Sequence, residues 1–242
     1  MSKDKIKRIC LWSGPRNIST ALMYSFSQRH DTKVVDEPLY AHYLSVTNAD
    51  KYHPGSEEIL RKMEQDGNKV IERMLGPQEK DIVFYKQMTH HLIDLDLDFL
   101  SQTINVILTR DPKEMLPSYA KAVKNPSMQD VGYKAHEKLY DYLQSIQKPP
   151  LVLDSRKILD KPEEQLRKFC NALDIPFDIE MLRWQKGAIP EDGCWAKYWY
   201  SSVHNSTGFT AYKPKTDPFP EHLLDLLTEC KPIYERLSSR SF

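Results

Sequence analysis

The chain of 242 residues has four cysteines, no long apolar run and no excess of either charge. Cys10, Cys170, Cys194 and Cys230 are scattered and form no CxxC pair. That spacing speaks against a disulfide framework or a zinc site and for reduced thiols. No stretch approaches the roughly 18 apolar residues of a membrane helix. The charged start, MSKDKIKRIC, lacks the apolar core of a signal peptide, so a cytoplasmic location without a membrane partner is expected. Lysine plus arginine total 34, as do aspartate plus glutamate. This balance argues against a nucleic-acid partner and leaves room for a local basic pocket. The pattern GxxxxGK followed by Ser or Thr is also missing, which disfavours an ordinary magnesium–ATP hydrolase. No metal-ligand spacing is found, so no metal is expected.

Hydrophobic residues at 40% and charged residues at 28% suit a globular enzyme with a real core. Short apolar runs alternate with helical spacing. Strands are expected from Ile6 to Trp12, Lys33 to Val35, Asp81 to Lys86, Ile104 to Thr109 and Leu151 to Leu153. The first is followed by a helix reaching about Arg29. Asn48 to Pro54 reads as loop, and Ser56 as the N-cap of one helix running to about Leu75. Further helices are expected from Pro112, from Val131 to Ile146, from Pro162 to Leu173 and from Glu221 to Leu237, the last bent near Pro232. Alternation of this kind favours an α/β fold with a parallel sheet flanked by helices in three layers. With no repeat and no linker, residues 1–242 read as one domain. Oligomeric state stays open.

Gly14-Pro15-Arg16-Asn17-Ile18-Ser19-Thr20 joins the first strand to the first helix. A helix start presents unpaired N–H groups and a positive dipole end, so an anion binds there readily. Ser19 and Thr20 add hydroxyls, and Arg16 adds a forked cation suited to phosphate. A second cluster follows the fourth strand: Arg110-Asp111-Pro112, with Ser118 eight residues after Arg110. Arg110 would stand at the carboxyl end of a strand, where open α/β sheets bind ligands.

These two clusters together resemble the sulfotransferase family, which uses 3′-phosphoadenosine 5′-phosphosulfate. In that family a Pro-Lys/Arg-Ser-Gly-Thr/Ser-Thr loop holds the 5′ phosphosulfate, and here Pro15-Arg16-Asn17-Ile18-Ser19-Thr20 is similar. The family's Arg-x-Pro motif, with a serine eight residues after the arginine, holds the 3′ phosphate; Arg110, Pro112 and Ser118 match it. Leu151 to Asp154, Pro162 to Leu166 and Leu173 to Pro176 resemble the stretch that follows. The likeness implies Arg16, Asn17, Ser19, Thr20, Arg110 and Ser118 as donor-binding residues, the phosphosulfate nucleotide as co-substrate and a small-molecule acceptor. Asn17-Ile18 departs from the usual Ser-Gly, so the loop loses its glycine. Pro117 inside the next helix is also unexpected. Gly193-Cys194-Trp195-Ala196-Lys197 is loosely similar to the family's closing Gly-rich stretch, with Lys197 as a possible nucleotide contact.

Sulfuryl transfer relies on positioning and charge stabilisation, with Arg16 neutralising the leaving phosphate. The acceptor also needs a base. Glu37 is the first candidate, in Asp36-Glu37-Pro38-Leu39, similar to a Glu-Pro-Leu stretch of carbohydrate sulfotransferases. His90 or His91 is the second, after Lys86-Gln87-Met88-Thr89, shifted by two residues from the Lys-Thr-His of small-molecule sulfotransferases. Lys86 is a candidate for holding the sulfuryl group. Tyr198, Trp199, Tyr200, His204 and Phe209 could line an acceptor pocket, although such spacing more often marks core. Two rival readings stand beside this one: a kinase-like phosphotransferase, and a non-catalytic module that senses the nucleotide.

Overall fold

A computed structural model describes residues 6–212 and 217–242, so the first five residues of the charged start lie outside the described residues. The chain runs through β1 (Lys7–Ser13), α1 (Ser19–Ser27), β2 (Thr32–Asp36), α2 (Tyr40–Val46), α3 (Ser56–Lys62), α4 (Gly67–Leu75) and β3 (Ile82–Met88). It continues through β4 (Ile104–Thr109), α5 (Pro112–Tyr119), α6 (Met128–Val131), α7 (Tyr133–Ser145), β5 (Leu151–Asp154) and α8 (Ser155–Asp160). The final elements are α9 (Pro162–Ala172), α10 (Ala196–Trp199), α11 (Ser201–His204) and α12 (Leu224–Ser238).

The five strands form one parallel sheet in the order β2-β3-β1-β4-β5. Their side chains alternate between two cores. Ile9, Leu11, Phe84, Val106 and Leu108 join α1 and α9 on one face. Cys10, Trp12, Val83, Tyr85 and Ile107 join α4, α7 and α12 on the other. Being covered on both faces explains why the runs Ile9–Trp12, Ile82–Tyr85 and Val106–Leu108 are apolar at successive positions instead of alternating with polar residues. The α/β expectation therefore holds, with helices on both sides of the sheet.

Three details differ from the sequence reading. The helix expected from Ser56 to Leu75 is two helices, α3 and α4. Asp66 interrupts it by accepting hydrogen bonds from the backbone N–H groups of Asn68 and Lys69. Ser56 is not the cap, since Gly55 occupies that position with φ of 79°. The helix expected from Val131 is likewise split, at Gly132 with φ of 78°. There the bare Cα of Gly14 sits 3.6 Å from where a Cβ on Gly132 would lie. Gly132 is required by its positive φ; the close approach lies on the loop side, where a Cβ on Gly14 would sit 2.8 Å from the Val131 carbonyl oxygen. The short helices α2 and α8 carry no clear amphipathic signal; α2 is buried at Tyr40, Ala41, His42, Tyr43 and Leu44.

β1 and β4 are neighbours, and the chain reaches β4 from β3 by crossing β1. This is the switch point at which such sheets open a crevice beyond the carboxyl ends of their strands. Ser13, Asp36, Met88 and Thr109 end their strands along that edge. Among the described residues no helix is long and apolar enough to cross a membrane.

Candidate active site

A cavity of about 300 Å³ opens at this edge. Its wall includes Arg16, Asn17, Ser19, Thr20, Glu37, Lys86, His90, His91, Arg110 and Ser118. Residues far apart in the chain thus converge as the two motifs require.

The loop after β1 is held open by its backbone. Arg16 and Ile18 have φ of 58° and 62°, and Ile18 begins α1 without a side-chain cap. A β-branched residue in the left-handed region is a strained outlier. Ile18 takes the conformation that glycine would take at no cost, so the loss of the glycine changes the residue and keeps the bend. Asn17 is tied from behind: its Nδ2 donates to the Leu108 carbonyl at 3.1 Å. The Ser155 hydroxyl lies 2.9 Å from the carbonyl oxygens of both Asn17 and Thr109. Neither Ser19 nor Thr20 caps α1. The uncapped N-terminus faces the cavity, as an anion site requires.

The second cluster lies beside the first. Arg110 Nη1 donates to the Arg16 carbonyl at 2.8 Å, and Arg16 Nε donates to the Ser118 hydroxyl at 3.2 Å. Arg16 also donates to the Trp199 carbonyl at 3.3 Å. Burial, and then the nearby Arg110, push the Arg16 guanidinium below its ordinary pKa. Two cations share a half-buried wall, an arrangement that favours a bound anion. Arg110 is steadied by Glu114, with Nε and Oε2 3.5 Å apart. α5 continues through Pro117 and carries Ser118 near its end.

At the far end the strand termini carry a buried ionic group. Lys86 Nζ donates to Asp36 Oδ1 at 2.9 Å, to the Tyr200 hydroxyl at 2.7 Å and to Glu37. Side-chain exposures are 2% for Lys86, 1% for Asp36 and 8% for Glu37, so a single buried ammonium is set between two buried carboxylates. Glu37 is therefore no exposed loop acid; it occupies a strained backbone position, with φ of 38°. Burial raises its carboxyl above the usual range, opposed by Lys86 and reinforced by Asp36. Burial pulls the Lys86 ammonium down, but the two carboxylates outweigh this and leave it raised.

His90 and His91 lie in a 3-10 turn, Thr89–His91, directly after β3. His91 stacks between Tyr40 and Tyr43, with ring centroids 4.9 and 4.6 Å away. Burial and then the neighbouring His53 bring His90 down to about 3, while burial and then His90 hold His91 well below 6.5. Both are neutral rings in the wall and weak bases. Of the late aromatics, Trp199, Tyr200 and Phe209 line the cavity. Tyr198 is 47% exposed, and His204 pairs with Asp192 at 2.8 Å. Lys197 points away from the cavity wall and forms a 2.9 Å ion pair with Glu58. This agrees with the simpler reading of Lys197 as an exposed lysine, one that also fastens its segment to α3. Sequence reasoning missed Asp36, Ser155, His53 and Trp195. A lysine closing the apolar run Ile82–Tyr85 was the available signal for Asp36, since Asp36 and Lys86 are register partners.

Comparison with known proteins now bears on this geometry. The sulfotransferase domain from the curacin biosynthetic pathway superposes with a TM-score of 0.56 at 15% identity, covering 96% of this chain and 98% of that one. The sulfotransferase domain from the Synechococcus PCC 7002 olefin synthase gives 0.52 at 12% identity, covering 95% and 96%. These likenesses concern the fold. Two Arabidopsis thaliana proteins, branched-chain-amino-acid aminotransferase-like proteins 1 and 2, are 43% and 41% identical over 230 and 228 residues. The alignments cover 94% and 93% of this chain but 41% and 40% of those proteins, so the chain spans about two fifths of their length. Residues 7–241 match the sulfotransferase domain, and the chain belongs to that family.

Proposed function

We propose that the cavity transfers a sulfuryl group from 3′-phosphoadenosine 5′-phosphosulfate to a hydroxyl or amine of a small molecule. The observation that carries this reading is the convergence of Arg16 and Arg110 on one wall, joined through Ser118 and the Arg16 carbonyl. The loop and the start of α1 would receive the 5′ end, with Arg16, Ser19 and Thr20 as side-chain donors. Arg110 and Ser118 would receive the 3′ phosphate. Asn17 supports the loop from behind.

In the transfer, a bond forms between the acceptor oxygen or nitrogen and sulfur as the bond from sulfur to the phosphate oxygen breaks. The nucleotide leaves with the bonding pair, and Arg16 and the helix N–H groups stabilise that charge. The acceptor proton passes to Glu37. A buried carboxylate with a raised pKa is a stronger base than an exposed one, and it suits this role better than the low-pKa rings of His90 and His91. Lys86 keeps Glu37 charged in its buried position.

Calorimetric titration with 3′-phosphoadenosine 5′-phosphate and with ADP tests the donor site. A clear preference for the 3′-phosphorylated nucleotide is expected, followed by release of that nucleotide from the phosphosulfate donor in an acceptor screen. Equal affinity, or tighter ADP binding with magnesium, would move the assignment to a kinase-like reaction. Specific nucleotide binding without turnover against any acceptor would favour a sensing module.

A further inference from the structure

All three protons of the Lys86 ammonium are committed, to Asp36, Glu37 and the Tyr200 hydroxyl. Tyr200 is not part of the strand edge. It arrives on the segment 193–200, which also supplies Trp195 and Trp199 to the cavity wall. Both ends of this segment are fixed on one carboxylate. Gly193 N–H donates to Asp36 Oδ2 at 3.0 Å, and the Tyr200 hydroxyl lies 2.8 Å from the same oxygen. The Trp195 indole N–H donates to the Tyr200 hydroxyl at 3.0 Å, which leaves that hydroxyl's own proton for Asp36. Asp36 and Tyr200 are thus shared between the wall over the cavity and the ammonium beneath it.

We propose that Asp36 and Tyr200 are positioning residues that couple the seating of segment 193–200 to the placement of Lys86 beside Glu37. When the segment is seated, Tyr200 and Asp36 take two ammonium protons and aim the third at Glu37. Without that segment, Asp36 would lose the Gly193 and Tyr200 donors, and Lys86 would lose one acceptor. A buried charge left short of partners moves toward others or toward water. The pair at Glu37 therefore depends on how firmly Tyr200 and Asp36 hold the ammonium. The consequence for catalysis rests on the reading of Glu37 as base; the coupling itself does not.

The test needs no acceptor. In full-length protein labelled with ¹⁵N-lysine, Lys86 should give a slowly exchanging ammonium signal, identified by its loss in Lys86→Arg. Trypsin cleavage after the exposed Lys197 reports lifting of the segment. Tyr200→Phe should speed both ammonium exchange and cleavage by about tenfold, the scale set by one buried charge-assisted hydrogen bond. Trp195→Phe, which removes the indole N–H together with part of a buried ring, should shift both in the same direction. Asp36→Asn serves as the second variant where Tyr200→Phe does not fold. Faster cleavage with unchanged ammonium exchange would reduce Tyr200 to an anchor and overturn the coupling. Unchanged values for both, or a wild-type ammonium that exchanges rapidly, would overturn it too. Nucleotide titration tests the sulfuryl-transfer reading separately, so the two failures are distinguishable.

Discussion

At the loop end of the cavity, Arg16, Asn17, Ser19 and Thr20 come from a single turn of chain. At the other end, Lys86 meets Asp36 across 50 residues and Tyr200 across 114. The first end works through backbone N–H groups and arginines that keep their charge under nearly all conditions. The second works through buried groups whose charge depends on their neighbours. One end is a local motif placed by the sheet; the other exists only once three distant segments have met. On the proposed function, binding and chemistry rest on different kinds of structure, and variants should separate them.

The largest separation is expected for Glu37→Gln. Turnover should fall by about 10²- to 10⁴-fold while affinity for 3′-phosphoadenosine 5′-phosphate stays within about twofold. Parallel calorimetry and initial rates check this; unchanged turnover would pass the base role to a histidine. Because its carboxyl sits above the ordinary range, wild-type activity should fall as pH drops through the Glu37 value, in the field of Lys86, Asp36, Tyr200 and Tyr40.

Arg110→Ala should do the reverse. Affinity for the 3′-phosphorylated nucleotide should drop by about 10- to 100-fold, with a much smaller loss for ADP. Equal losses for both nucleotides would mean that Arg110 serves only to brace the Arg16 carbonyl.

A smaller effect concerns stability at the histidine-rich end. His90 is held near 3, against 6.5 for an unperturbed ring. The unfolded chain therefore binds the extra proton, and stability is lost as pH falls below about 6.5, until the folded-state value is reached. At pH 5 this one ring should account for about 2 kcal/mol. Urea unfolding at pH 7 and pH 5 should show a smaller acid loss for His90→Gln than for wild type.

The smallest effect is expected in the loop. Ile18→Gly relieves the left-handed strain and loses packing, whereas Ile18→Ala loses packing and keeps the strain. The glycine variant should be more stable than the alanine variant by about 1 kcal/mol, measured by the same unfolding assay. The opposite order would show that packing, not backbone strain, dominates at this position.

These differences also explain what was legible in the sequence. Strand 104–109 and helices α9 and α12 stand close to where apolar runs and prolines placed them, whereas the short α10 and α11 had no signal of their own. The loop end of the cavity was legible because its residues are contiguous and their types match one chemistry. Ile18 hid its bend, because the letters there suggest no turn. At the other end Glu37, Lys86, His90, His91 and Tyr200 drew notice, each for a separate reason and none as part of one network. Asp36 and Tyr200 gained meaning when the register of β2 against β3 and the path of segment 193–200 brought them together. Lys197 shows the same dependence: its neighbours in sequence name no partner, and its neighbours in space are Glu58 and the ring of Tyr198.

The central position of β1 has a consequence for biosynthesis. Its partners are residues 82–88 on one side and residues 104–108 on the other. As the chain is made, Ile9, Cys10, Leu11 and Trp12 appear before residues 82–88 and 104–108 and wait for both edges to be covered. Until then this apolar strand offers two open sides to any other unpaired strand. Ribosome-bound nascent chains that end before β4 should be those most dependent on chaperones. Translation pauses placed before residue 104 should lower the yield of folded protein more than pauses placed after β5.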